Sequence, residues 1–311
     1  MNIIILDGES LNPGDLSWEG FTALGSVTLY PQTPPDRVIA RIGNAEAVIV
    51  NKIQMTRAVF DACPRLRYVG ELATGFNNID LDAAADHGVC VTNVPAYSTM
   101  SVAQMVFALL LELCQAVGHH AGAVAAGRWS ACPNFCFWDF PLVELDGKTM
   151  GIIGYGRIGR RVKIIAEAFG MRVKYYSPSA SNAALEEVLA QADVLTLHCP
   201  LTSATEGMIN RDTLAKMKDG AILLNTARGP LLVEADVRAA LESGKLAGVG
   251  VDVVSVEPIR EDNPLLGAPN CVITPHIGWA PREARQRLMD VAAENLSEFL
   301  QGMEQNRVSR G

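Results

Sequence analysis

Short β-type apolar runs alternate with helical stretches along nearly the whole chain, and no other feature restricts the fold as tightly. In a first series, residues 2–6, 27–30, 47–50, 67–72 and 89–92 read as strands. Helices are expected between them near 17–24, 35–42, 56–62 and 80–87, the last with Asp80 as N-cap. A long helix over about 99–127 follows, then an aromatic-rich segment at 133–141. A second series places strands at 149–153, 172–176, 194–199, 221–225, 248–253 and 272–274, and a final amphipathic helix at 283–300. Strands separated by helices imply βα units and a parallel sheet covered on both faces. Each series suffices for its own sheet. The chain therefore reads as two similar α/β, doubly wound domains, with the cleft between them as the expected ligand site.

Composition narrows the partners. Of 311 residues 49% are hydrophobic and 19% charged, enough for sizeable cores, and the net charge is −8 with scattered Lys and Arg. Such a surface repels phosphate backbones and anionic lipid, so neither nucleic acid nor a membrane is expected as main partner. The most apolar stretch, 101–117, is interrupted by Gln104, Glu112 and Gln115 and reads as a buried helix. The N-terminal run lacks a basic region and reads as a first strand instead of a signal peptide. The seven cysteines are odd in number and widely spread, which fits reduced thiols in the cytoplasm. Cys132 and Cys136 are the only close pair, and no further ligands nearby suggest a metal.

The sharpest local motif is GIIGYGRIGRR at 151–161, in which Gly154, Gly156 and Gly159 satisfy G-x-G-x-x-G between a strand and a helix. The first glycine permits the tight turn and the second lets backbone approach a pyrophosphate. The third brings helix close to strand, and the helix N-terminus supplies N–H donors. The context predicts a dinucleotide. The next strand should end in an acidic residue for the ribose hydroxyls, but Ser177 stands there. No basic residue follows before Arg211, so NAD is favoured and NADP stays open.

Three polar residues stand at strand ends of the second series: Arg228 after 221–227, Glu257 beyond 248–254 and His276 after 271–274. Strand C-termini in a doubly wound sheet face the ligand crevice, which gathers the three into one site. Reducing a 2-oxo acid needs a hydride at the carbonyl carbon and a proton at its oxygen. Histidine, with an unperturbed pKa near about 6.5, can supply that proton. A carboxylate on its other nitrogen would hold the ring, and arginine offers a planar fork for the substrate carboxylate. Taken singly, each has a duller reading: a local ion pair, a solvated glutamate, a turn histidine.

The ordered series ATGFNNID (73–80), GYGRIG (154–159), NTARGP (225–230), GVDVVSVEP (250–258) and TPHIGW (274–279) resembles the D-isomer-specific 2-hydroxyacid dehydrogenases over nearly the whole chain. The resemblance implies two Rossmann-like domains, one flavodoxin-like and substrate-binding (1–98 plus 285–311) and one NAD-binding (99–284). It implies that Arg228 binds substrate, that His276 is the general acid/base and that Glu257 is its partner. Backbone N–H groups of Ala73, Thr74 and Gly75 would hold the substrate carboxylate. Lys52 either touches substrate or is a surface lysine. Cofactor contacts are implied at Arg157, Ile158, Cys199, Pro200, Thr205, Thr226 and Ala227, with Asp252 near the nicotinamide. His198 is expected to pack or position backbone, and His119 and His120 to be surface or interface residues without a visible partner. Homodimers built through the nucleotide domain are implied as well.

Within the family, NVPAYSTMSVAQ (93–104) and FCFWDFPLVELDGKTMGIIG (135–154) look most like glycerate dehydrogenases, also called hydroxypyruvate reductases. Hydroxypyruvate or glyoxylate is therefore the expected substrate. A D-3-phosphoglycerate dehydrogenase without a regulatory domain is the nearest rival, but it would want basic residues beyond Lys52. A nicotinamide-sensing corepressor or scaffold would not need the acid/base set. A formate dehydrogenase would not want Glu257.

Overall fold

A computed structural model describes residues 1–308, which divide into two compact units, Met1–Ser98 with the segment from Trp279 onward, and Thr99–Gly278. The second junction thus falls at 278/279 and not at 284/285. The terminal helix Arg282–Leu300 packs wholly with the first unit, and its lead-in goes with it.

The first unit is built on β1 (Asn2–Ile5), β2 (Ser26–Leu29), β3 (Ala47–Val50), β4 (Tyr68–Glu71) and β5 (Cys90–Thr92), all parallel in the order β2-β1-β3-β4-β5. Alternate strand residues feed two cores. Ile3, Ile5, Ile49 and Tyr68 meet Ala284, Leu288, Ala292 and Leu296 of the terminal helix, whose four-residue spacing puts them on one stripe. Val48, Val50 and Val69 meet Val59, Phe60, Ala83 and Ala84 on the other face. Each fully buried Ile or Leu stabilises the fold by about 1.5–3 kcal/mol. Arg285, only 8% exposed, fastens the terminal helix through Asp15 at 2.7 and 2.6 Å and the Leu11 carbonyl at 3.0 Å. Asp80 caps the helix Leu81–Asp86 as expected, accepting from Ala83 N at 2.8 Å.

The second unit carries β6 (Thr149–Ile153), β7 (Arg172–Tyr176), β8 (Val194–Leu197), β9 (Ala221–Asn225), β10 (Leu246–Val251) and β11 (Cys271–Ile273), parallel in the order β11-β10-β9-β8-β6-β7. Every residue of β6, β8 and β9 is buried, as a sheet covered on both faces requires. Strand order reverses between β6 and β8. That is the switch point at whose C-terminal edge an open α/β sheet binds ligands.

The long helix expected over 99–127 is broken. Thr99–Gln115 and Val117–Ala125 meet at 59°, with Ala116 at φ +45° in the left-handed region. The Glu112 carboxylate accepts from Gly118 N at 3.2 and 3.3 Å, satisfying a donor at the start of the second helix and offsetting the strain at Ala116. Among the described residues no single helix is long and apolar enough to cross a membrane.

Candidate active site

The C-terminal edge of the second sheet is shaped by side chains that fold its loops. Asn225, fully buried at the end of β9, accepts from Ala227 N at 3.0 Å and donates to the Arg228 carbonyl at 2.8 Å. This turn presents Arg228 outward; its guanidinium touches the Ala227 carbonyl at 2.7 Å and, among the described residues, pairs with no carboxylate. Gly229 comes next. A Cβ there would lie 1.9 Å from the Val254 carbonyl carbon and oxygen, so only glycine lets the Arg228 turn sit against the loop that carries Glu257. Buried Glu234 ties that loop, accepting from Ser255 N at 2.7 Å, Ser255 Oγ at 2.6 Å and Asn263 Nδ2 at 3.0 Å.

Glu257 and His276 meet directly. His276 Nδ1 lies 2.6 Å from Glu257 Oε2, while Glu257 Oε1 accepts from Val254 N at 3.2 Å. A proton on Nδ1 facing the carboxylate leaves Nε2 as the nitrogen for a ligand. His276 sits at φ +55°, a strained conformation for a residue other than glycine. What holds it is Asp252, 2% exposed, which accepts from Thr274 Oγ1 at 2.5 Å, Ile277 N at 2.9 Å and Gly278 N at 2.7 Å. The sequence reading set Asp252 beside the nicotinamide. In the structure both its oxygens hold the turn bearing His276.

The glycine loop has the geometry a dinucleotide needs. Gly154 is at φ +96° and a Cβ there would fall 2.4 Å from Cys199 N; one on Gly159 would fall 2.3 Å from the Gly154 carbonyl. Gly156, by contrast, opens onto free space at the start of the twelve-residue helix Arg157–Ala168, where Arg157 and Ile158 offer first-turn N–H groups. At the end of β9 the Thr226 hydroxyl is buried without a partner among the described residues, a group that a bound cofactor can satisfy. Ser177 follows β7, and its hydroxyl closes a turn with Ala180 N at 3.1 Å and Ala180 O at 2.8 Å. Residues 177–182, which follow the strand, include neither a carboxylate nor a cation.

The loop after β8 is held by contacts among its own side chains and backbone. The Cys199 thiol turns away onto Met208 Sδ at 3.7 Å, and burial pushes it up, so only the Cys199 backbone lines the glycine turn. Thr205 Oγ1 donates to the Pro200 carbonyl at 2.7 Å and accepts from Thr202 N at 2.8 Å, which shapes the loop. Burial pushes His198 down to about 3, so it stays neutral and serves packing, with Nε2 3.0 Å from Thr196 Oγ1. His119 and His120 do have partners. His119 Nε2 meets Asp139 Oδ2 at 2.6 Å, and His120 receives Asp139 N at 3.3 Å. All seven cysteines are free thiols, and among the described residues no three or more His, Cys, Asp or Glu are arranged to hold a metal.

In the first unit, Lys52 follows β3 and is exposed. The loop after β4 has its Ala73 and Thr74 carbonyls taken by Val94 N at 3.0 Å and Asn93 Nδ2 at 2.7 Å. Its Ala73, Thr74 and Gly75 N–H groups make no hydrogen bond among the described residues, which leaves three successive donors that can serve as an anion nest.

Comparison with known proteins settles the family. The description "D-isomer specific 2-hydroxyacid dehydrogenase, NAD binding domain" matches residues 107–278, more than half the chain. The chain belongs to the D-isomer-specific 2-hydroxyacid dehydrogenase family. It is 54% identical to the hydroxypyruvate reductase of Blautia hydrogenotrophica over 100% of both chains. It is 38% identical to the glycerate dehydrogenase of Methylorubrum extorquens over 98% of each. Its fold matches the D-lactate dehydrogenase of Aquifex aeolicus, solved with NAD and lactic acid, with a TM-score of 0.83 and 28% identity, covering 100% of both chains. This member of the family is an oxidoreductase of 2-oxo and 2-hydroxy acids. Its cofactor is a nicotinamide dinucleotide, NAD being favoured and NADP left open.

Proposed function

We propose that the protein reduces hydroxypyruvate, and glyoxylate as a second substrate, to the D-2-hydroxy acid. The observation that carries the mechanism is the His276–Glu257 contact at 2.6 Å at the sheet edge that also presents Arg228, which pairs with no carboxylate among the described residues. The bound cofactor supplies the hydride at the carbonyl carbon. Arg228 offers its fork to the substrate carboxylate and polarises the carbonyl oxygen. His276 Nε2 delivers the proton to that oxygen, and Glu257 stabilises the positive ring while fixing its tautomer. Asp252 keeps the His276 turn in its strained conformation. Within the first unit, the 73–75 N–H groups and Lys52 offer a carboxylate hydrogen-bond donors and positive potential. The 54% identity to a hydroxypyruvate reductase supports the choice of acid. Replacing His276 with Ala should lower kcat for hydroxypyruvate by about 10²–10⁴-fold. NADH binding, followed by fluorescence titration, should survive. Near-normal turnover would remove His276 from the proton transfer.

The protein also works as a homodimer in this reading, through the segment 117–142. That segment exposes Val117, Val124, Trp129, Phe135, Trp138, Phe140 and Leu142, with Phe135 90% exposed. Its shape is fixed internally by Arg128, which forks onto Asp139 at 2.5 and 2.6 Å, and by His119 on the same carboxylate. A rigid apolar arm is what a self-complementary interface requires. The free thiols fit a cytoplasmic, reducing location.

A further inference from the structure

Glu71 ends β4, in parallel register with Val50 of β3, and is 1% exposed. Its Oε2 accepts from Asn78 Nδ2 at 3.0 Å, while Oε1 is buried without a partner among the described residues. A carboxylate so placed would have a single donor and little water to offset its burial, which favours the neutral acid.

The neighbourhood connects Glu71 to the anion nest two residues further on. Asn78 Nδ2 also donates to the Ile53 carbonyl at 3.0 Å, and the Asn78 carbonyl accepts from Met55 N at 2.8 Å. Asn78 thereby clamps the far end of the 73–78 loop onto the segment that begins with Asn51 and Lys52. Asp7, beyond β1, fixes the near end of that segment, accepting from Asn51 N at 3.0 and 3.2 Å and from Lys52 N at 2.6 Å. Lys52 and Asp7 are the charged groups that act on Glu71: the ammonium favours its ionisation and the carboxylate opposes it. The helices Arg57–Ala62 and Leu81–Asp86, packed on the Val69 face of β4, turn Val59, Phe60, Ala83 and Ala84 inward. Their charged residues Arg57, Asp61, Asp82 and Asp86 are exposed, and the Asp80 carboxylate caps its own helix.

We propose that Glu71 is a positioning residue for the substrate carboxylate, acting as a buried neutral acid that anchors the 73–78 loop through Asn78 and keeps negative charge away from its N–H groups. Ionising it places a negative charge behind the 73–75 N–H groups and beside Lys52, opposing the two features that attract a 2-oxo acid. Burial pushes Glu71 up to about 8, so this happens on the alkaline edge of the working range. The effect falls on substrate binding and leaves the proton shared by His276 and Glu257 untouched. The inference rests on the proposed role of the 73–75 loop in holding the substrate carboxylate.

The test is the pH dependence of KM for hydroxypyruvate, from about pH 7 to about pH 9.5, in the wild-type protein and in Glu71→Gln. Wild-type KM should rise roughly tenfold across this range, as expected for one unit charge near an anion site. In the variant, which keeps an acceptor for Asn78 but cannot ionise, the ratio of alkaline to neutral KM should fall towards one. The pH profile of kcat should be shared by the two. An alkaline rise in KM that persists in Glu71→Gln, in an enzyme that reduces hydroxypyruvate, would overturn the role of Glu71 alone. If the wild-type protein reduces no 2-oxo acid, the reading of the site and this inference fall together. Should the variant fail to fold, infrared titration of the wild-type protein decides. A protonated carboxylic acid band lost reversibly between the two pH limits supports the inference, and absence of such a band refutes it.

Discussion

At the scale of single residues, the buried acid at Glu71 has a consequence for stability as well as for binding. Its ordinary value of 4.5 applies in the unfolded chain, and folding raises it to about 8. Between those values the folded state holds a proton that the unfolded state has lost. The associated stability is therefore fully present below about pH 4.5 and is lost as pH rises to about 8. Glu71→Gln removes this slope. Urea denaturation at about pH 8.5 should show the variant more stable than wild type by on the order of a few kcal/mol, with the gap closing towards pH 5. Equal gaps at both pH values would contradict the assignment. Glu71 was not legible in the sequence, because one glutamate closing an apolar run looks like any solvated strand end. Arg228, Glu257 and His276 were legible, since residue type and position after a strand both pointed to one edge. Asp252 was noticed, but its hold on the 274–278 turn was not. Nothing in GVDVV reveals that the 274–278 turn folds back onto its carboxylate.

Elements were read more reliably than their interruptions. All eleven strands were expected within a few residues of where they lie, because apolar runs bounded by helical patterns have few alternatives. The break at Ala116 was missed; no proline marks it, and it depends on Glu112 reaching Gly118. The partnership of His119 with Asp139 spans twenty residues of irregular chain and has no periodicity to betray it. One element-level prediction concerns the contact between two loops. Gly229→Ala forces its turn off the Val254 backbone, where a Cβ would lie at 1.9 Å. A loss of about 1–3 kcal/mol in stability should accompany a fall in kcat/KM as Arg228 and the Glu257 loop separate. Thermal unfolding and steady-state kinetics on the same preparation check both. An unchanged kcat/KM would show that this packing does not set the site.

For the whole molecule, each sheet presents candidate groups at its own strand ends. The second unit carries the glycine loop and the His276–Glu257 pair proposed for acid/base work, and the first carries the 73–75 N–H groups. The aromatic arm at 117–142 gives a prediction at this scale. Sedimentation should find a dimer, and the double change Phe135→Asp with Trp138→Asp should shift it towards monomer; a wild-type monomer at micromolar concentration would refute the interface. The most direct test of the central claim is the oxidation of NADH and NADPH at about 340 nm with hydroxypyruvate, glyoxylate, pyruvate and 3-phosphohydroxypyruvate in turn. The account predicts the highest kcat/KM for hydroxypyruvate, with glyoxylate next and NADH preferred. A clear preference for 3-phosphohydroxypyruvate, or no turnover of any of the four by a protein that binds NADH, would contradict it.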